Sequence, residues 1–221
     1  MKLVALTNTK GGVGKSTLAA NLAIWLWDKG CRVALLDTDE QQTSALWVLA
    51  AEPAITVVNA FEMEDIRKAR AELMRTHDIV VADTPGKEND AARTVMFLAD
   101  LAIVPLQPSK PDLRAIKDAL KIIRLAQDVR GGNRPQTILV LNLTAKGDVQ
   151  SRVLRAQLVE SGFAVAKSEV RRLNALRDSC DTAVTRLRPS EAREAAGDIE
   201  KLFIELLGDM LPPSGKKAGN E

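Results

Sequence analysis

The chain has 221 residues, 46% hydrophobic and 27% charged, with a formal net charge of +2. That is enough apolar sequence for one substantial α/β core, and a charge so near balance excludes a globally basic nucleic-acid coat, so any DNA-binding surface must be a local patch. No apolar stretch is long enough to span a bilayer, and a lone His77 with isolated Cys31 and Cys180 argues against a histidine metal site, a disulfide framework or an iron–sulfur cluster. The N-terminus opens directly on a strand pattern with no signal-peptide layout, so the expectation is a soluble cytoplasmic protein.

Apolar runs predict strands at 2–7, 32–36, 55–58, 78–82, 101–105 and 136–141, with a weaker one at 163–166. Helical patterns fall at 15–28, 43–50, 64–75, 91–98, 112–129, 149–161, 169–180 and 191–207. Near-continuous Val, Ile and Leu strands alternating with helices predict an α/β fold, a mostly parallel twisted sheet of about seven strands with helices on both faces. Residues 1–211 are expected to form a single domain, followed by a disordered tail at 212–221 that contains Pro, Gly, Ser and Lys.

The first strand runs into Asn8-Thr9-Lys10-Gly11-Gly12-Val13-Gly14-Lys15-Ser16-Thr17, and a helical pattern follows. Strand, glycine-rich turn and helix together form the context of a phosphate-binding loop. Gly11, Gly12 and Gly14 free the backbone N–H groups around Val13 to point at an anion, and the helix start adds its partial positive charge. Lys15 is placed to reach the β- and γ-phosphates, and Ser16 to offer a hydroxyl to Mg²⁺. The general pattern has Gly where this chain has Thr9, and a second lysine, Lys10, precedes the turn.

In an open parallel sheet, ligands sit beyond the carboxyl ends of the strands, and further acidic residues lie at those ends. The second strand closes on Asp37-Thr38-Asp39-Glu40-Gln41, and the fourth on Asp83-Thr84-Pro85-Gly86. Asp83 is expected to hold Mg²⁺ directly or through water. Gly86 would let the backbone approach a γ-phosphate. Asp37 and Asp39 share a face if the strand continues. Asp37 then becomes a water-mediated acceptor for Mg²⁺, and Asp39 orients the attacking water; alternatively both are solvated strand-end acids.

With Lys10, the loop and the two acidic strand ends in place, the chain resembles ParA/MinD-type ATPases with a deviant phosphate loop. Among them it is most similar to the small ParA partition proteins that lack an N-terminal helix-turn-helix domain. The likeness runs from residue 1 to about 207. It implies a P-loop NTPase fold, ATP and Mg²⁺ as cofactors, and a homodimer closed face to face around two ATP molecules. It also implies that Lys10, Lys15 and Asp39 serve catalysis, with Lys10 reaching the partner's phosphates much as an arginine finger does. Thr17 contacts phosphate by the same resemblance. Asn142 matches an adenine-binding position, although a turn residue closing its strand would look the same. One departure stands out, since the family's Asp-X-Asp-Pro-Gln has Glu40 in place of proline.

Pro105, Pro108 and Pro111 recur at polyproline-like spacing, either as a rigid connector or near an assembly interface. A late basic cluster offers a candidate DNA surface of Arg152, Arg155, Arg171, Arg172, Arg186 and Arg188, with Lys167 and Arg177 nearby. Interspersed acids make ordinary solvated helix faces the competing explanation.

The expected function is a DNA-segregation ATPase, nucleoid-associated, acting in plasmid partition or chromosome segregation. It would dimerise on ATP, bind DNA nonspecifically and hydrolyse ATP when stimulated by a ParB-like or cargo-adaptor partner. Positioning of a protein cargo and MinD-like membrane cycling are the alternatives. The acidic polar side of the last helix argues against membrane binding. Absent paired cluster cysteines argue against an electron-transfer iron protein, and Lys10 argues against a dethiobiotin-synthetase-like enzyme. A scaffold that polymerises on ATP with little hydrolysis stays open.

Overall fold

The computed structural model describes residues 2–108, 113–132 and 134–212. In β1 (Lys2–Leu6), neighbouring side chains go to opposite faces: Val4 and Leu6 enter one hydrophobic cluster, Leu3 and Ala5 another. β2 (Val33–Asp37) and β4 (Ile79–Asp83) are buried along their whole length. Strands covered on both faces need no polar alternation, so these segments read as unbroken apolar runs. With β3 (Thr56–Asn59), β5 (Leu101–Leu106), β6 (Gln136–Thr144) and β7 (Val170–Arg171) they form a seven-stranded sheet in the order β3-β2-β4-β1-β5-β6-β7. Every pairing is parallel.

The helices are α1 (Lys15–Asp28), α2 (Thr43–Ala51), α3 (Met63–Thr76), α4 (Asp90–Leu98), α5 (Leu113–Val129), α6 (Val149–Glu160), α7 (Asn174–Asp178) and α8 (Pro189–Leu207). α1, α2, α7 and α8 pack on the Val4 face of the sheet, and α3 to α6 on the Leu3 face. α1 is the central helix of its layer. It is buried without a break from Leu18 to Leu26, and the Trp25 ring meets Phe203 of α8 at 5.5 Å between centroids. The single amide in that stretch, Asn21, is satisfied on both sides: its Nδ2 donates to the Thr17 carbonyl, and its Oδ1 accepts the Val184 N–H, each at 2.9 Å. The chain thereby anchors the 3₁₀ turn Val184–Arg186 to α1.

Two expectations change. The segment 163–166 makes only one parallel bridge, Leu139 to Val165, and is not a strand of the sheet. The edge strand is β7 instead, inside the stretch expected to be helical, and α7 is what remains of that helix. Val170 and Arg171 pair with Asn142 and Thr144, and the Arg172 N–H donates to the Thr144 carbonyl at 2.9 Å. This tertiary pairing overrides local helical spacing. Pro111 and the tail beyond Pro212 lie outside the described residues.

The strand order brings the chemistry together. From β1 the chain steps out to β2 and β3, returns through β4, and crosses to β5 on the other side of β1. Residues pair across this centre as Leu6 with Asp83 and Asp37 with Asp83, so both carboxylates emerge at one end of adjacent strands. Replacing Asn21 with Ala should orphan the buried Val184 N–H. Urea denaturation is expected to show a loss of about 1–3 kcal/mol, with the far-ultraviolet spectrum unchanged.

Candidate functional site

The glycine-rich loop leaves β1 along a fixed path. Asn8 Nδ2 donates to the Pro105 carbonyl at 2.8 Å, and Asn8 Oδ1 accepts the Lys10 N–H at 2.9 Å. Gly14 sits at φ +88°, where a Cβ would collide with the Asn142 amide. Asn142, buried at the end of β6, donates its Nδ2 to the Val13 carbonyl at 2.7 Å. It therefore braces the loop from beneath. Gly86 closes the loop from the other side, for a Cβ there would lie 3.3 Å from Gly11 Cα and 3.5 Å from Lys15 Nζ. Gly11 and Gly12 are exposed, Val13 is buried, and Lys10, Ser16 and Thr17 are half-buried.

Lys15 is buried at the first turn of α1. Burial lowers its pKa, while the charges of Asp83 and Asp39 hold it up. Asp37 is fully buried and accepts the Ala45 N–H at 2.9 Å, the Asp39 N–H at 3.0 Å and the Ser44 hydroxyl at 2.8 Å. Burial still pushes its pKa up. Asp39 is half-buried, and its Oδ1 accepts the Gln41 N–H at 3.1 Å.

Asp83 is the outlier. It is fully buried, and neither carboxylate oxygen has a hydrogen-bond partner. Burial, reinforced by the neighbouring Asp37, pushes its pKa up to about 7, while the Ser16 and Ser44 hydroxyls and Lys15 pull the other way. An orphaned buried carboxylate beside a serine hydroxyl is what a cation would satisfy. Among the described residues no cluster of His, Cys, Asp and Glu could hold a metal unaided. Ser16 and Asp83 therefore fit an ion that takes its remaining ligands from water and phosphate oxygens, the donor set Mg²⁺ prefers.

A cavity of about 600 Å³ opens over these groups. Its wall runs from Gly11, Gly12, Gly14, Lys15, Ser16 and Thr17, past Asp39 and Gly86, to Leu143, Arg172, Leu173, Asn174, Leu176 and Arg177. A separate cavity of about 740 Å³ between α5 and α6 has none of the loop's anion-binding groups.

The arginine cluster divides. Arg171 pairs with Asp198 at 2.7 Å and Glu194 at 3.2 Å, and Arg186 with Asp28 at 2.6 Å and Glu52 at 2.9 Å. Arg155 donates to the Ala166 carbonyl and lies 3.5 Å from Glu169. These three fasten the fold. Arg152, Arg172 and Arg188 are exposed, with no ion pair among the described residues.

Sequence patterns missed the residues that lock the acidic strand ends. The Thr38 hydroxyl donates to the Asp83 carbonyl at 2.7 Å, and the Thr84 hydroxyl to the Leu6 carbonyl at 2.9 Å. Their places beside Asp37 and Asp83 were the only available signal.

A model of the CobQ/CobB/MinD/ParA nucleotide-binding domain matches residues 4–182. The chain belongs to this family. Its CobQ/CobB/MinD/ParA relatives include the maintenance of carboxysome distribution protein A of Halothiobacillus neapolitanus, 27% identical over 92% of this chain and 95% of that protein. The chromosome-partitioning ATPase Soj of Thermus thermophilus is 29% identical over 73% of this chain and 75% of its own length. In fold, the chain is similar to MinD in the Aquifex aeolicus MinC:MinD cell division protein complex, with a TM-score of 0.73, 16% identity, and coverage of 97% of this chain and 99% of that one. The expected ParA/MinD-type kinship and parallel P-loop fold are borne out.

The raised pKa of Asp83 gives a signed pH dependence. Folded Asp83 keeps its proton up to about pH 7, whereas an unfolded carboxyl loses it near the ordinary value of 3.8. In magnesium-free buffer stability should therefore fall as pH rises between those values, by on the order of a few kcal/mol. Asp83→Asn should flatten this slope in denaturation curves recorded with chelator, and should also lose stabilisation by magnesium–nucleotide.

Proposed function

We propose that the chain is a magnesium-dependent ATPase of the partition type, working as an ATP-held homodimer that binds DNA without sequence preference. The observation that carries the proposal is Lys15, buried at the foot of the glycine loop near Asp83 and Asp39, with a second lysine, Lys10, on the same loop. Backbone N–H groups and Lys15 would hold the phosphates. Thr17 would add a phosphate contact, and Asp39 would orient the attacking water. Ser16 and Asp83 would hold Mg²⁺, Asp37 supporting it through water. When bound, the ion neutralises charge developing on the phosphate oxygens. Lys10 would act across the dimer, so turnover stays weak until a partner closes the assembly.

The cargo reading has two branches. Partition of plasmid or chromosome through a ParB-like, centromere-bound partner is the first. Positioning of a protein assembly is favoured by the carboxysome-distribution relative, which matches 92% of the chain against 73% for the chromosome-partitioning one. Both branches place the protein on the nucleoid in the cytoplasm. Membrane cycling through α8 has little support, because Ile199, Leu202, Phe203 and Leu206 bury its apolar face in the core. No helix among the described residues is long and apolar enough to cross a membrane.

Titration calorimetry with magnesium-ATP, followed by sedimentation, tests the ATPase. Lys15→Ala should weaken nucleotide binding about a hundredfold or more. Lys10→Ala should keep most of the binding, remain monomeric with ATP and lose about 10³-fold in stimulated turnover. Normal stimulated turnover by Lys10→Ala would refute the trans role.

For DNA, the combined Arg152→Ala, Arg172→Ala and Arg188→Ala change should weaken ATP-dependent binding. The slope of log affinity against log salt should shrink by about 1 for each phosphate contact removed. Unchanged binding would exclude this surface.

A further inference from the structure

We infer that Gln42 and Asn59 form a latch that positions Asp39 for turnover. The inference rests on the ATPase reading above and deepens it, giving Asp39 two supporting residues. Gln42 takes φ +52° and ψ +29°, a left-handed backbone that glycine or asparagine adopts more easily than glutamine. The turn requires that conformation. The Gln42 N–H donates to the Asp39 carbonyl at 2.9 Å, and the Gln42 carbonyl accepts the Leu46 N–H at 3.0 Å. One residue therefore closes the turn out of β2 and starts α2. Its side chain does not cap the helix. Instead Gln42 Oε1 accepts a hydrogen bond from Asn59 Nδ2 at 2.9 Å. Glycine could not make this bond, and asparagine is one methylene shorter.

The anchor of the latch is the sheet itself. Asn59 ends β3 opposite Asp37, and the next residue, Ala60, donates its N–H to the Asp37 carbonyl at 3.1 Å. Asp39 lies between the two fixed points. Its N–H is held by Asp37 Oδ1 at 3.0 Å, its carbonyl by the Gln42 N–H, and its own Oδ1 accepts the Gln41 N–H. The strain at Gln42 favours opening of this turn, and the bond to Asn59 opposes it. Asp39 lines the cavity over the phosphate loop, whereas Gln42 and Asn59 do not. A loose latch would therefore disturb the aim of Asp39 and leave the phosphate-binding groups of residues 10–17 untouched. The effect belongs in the chemical step and not in nucleotide affinity.

The test uses the full chain and three variants, Asn59→Ala, Gln42→Gly and Gln42→Glu. Calorimetry gives magnesium-ATP affinity, single-turnover phosphate release gives the chemical step, and NMR-detected amide exchange reports on the turn. In Asn59→Ala the Gln41 and Gln42 N–H groups should exchange about fivefold faster, the equivalent of one ordinary hydrogen bond. Turnover should fall by about threefold to fivefold with ATP affinity unchanged. Gln42→Gly relieves the backbone, so its melting temperature should hold or rise while its turnover falls as in Asn59→Ala. Gln42→Glu keeps the acceptor for Asn59 and should behave as the parent. Unchanged exchange in Asn59→Ala, or faster exchange with full turnover, would overturn the inference. Loss of ATP affinity in step with turnover would overturn it too, because the latch would then serve binding. A parent that binds magnesium-ATP without hydrolysing it fails the ATPase reading itself, and the inference falls with it; a parent that hydrolyses ATP isolates the question of the latch.

Discussion

Lys15 and Asp83 are ionisable groups drawn out of water at the meeting point of β1, β4 and α1, and much of the site follows from accommodating them. Burial works against the charged form of each. The ammonium group is supported by Asp83 and Asp39, while Asp83 is neutralised in part by taking up a proton. Exchanging that proton for a cation and its phosphate ligands would remove the conflict. The surrounding structure keeps the groups from relaxing apart. Thr38 and Thr84 fix the strand ends, and Gly86 presses the loop onto Lys15 with no side chain to spread them.

Most of the central sheet was legible because burial on both faces leaves a plain signature of continuous Val, Leu and Ile. The phosphate loop was legible for a different reason: its glycines, lysines and serine are local in sequence, so one motif contains the chemistry. β7 was not legible. Two residues are too short for any periodicity to register, and Val170, Leu173 and Leu176 have the spacing of a helix face. The strand exists because the bulged end of β6 offers it backbone partners.

The arginines teach the complementary lesson. As residues in a row, Arg155, Arg171 and Arg186 looked no different from Arg152, Arg172 and Arg188. What separates them is acids far away in the chain, among them Asp198 for Arg171 and Asp28 with Glu52 for Arg186. Such pairing is invisible until the fold brings α1, α2 and α8 together. Asn142 is a related case, legible as a strand-end amide but not as a brace beneath Val13, since its partner lies at the opposite end of the sequence.

Asp37 has a mechanical consequence. Its carboxylate is bonded at once to the backbone leading out of β2 and to Ser44 and Ala45 in the first turn of α2. α2 is nine residues long, about 13 Å as a rigid rod, and turns Leu46 and Leu49 toward solvent. A displacement of that carboxylate would therefore pull on the first turn of the rod, whose outer side carries two greasy side chains.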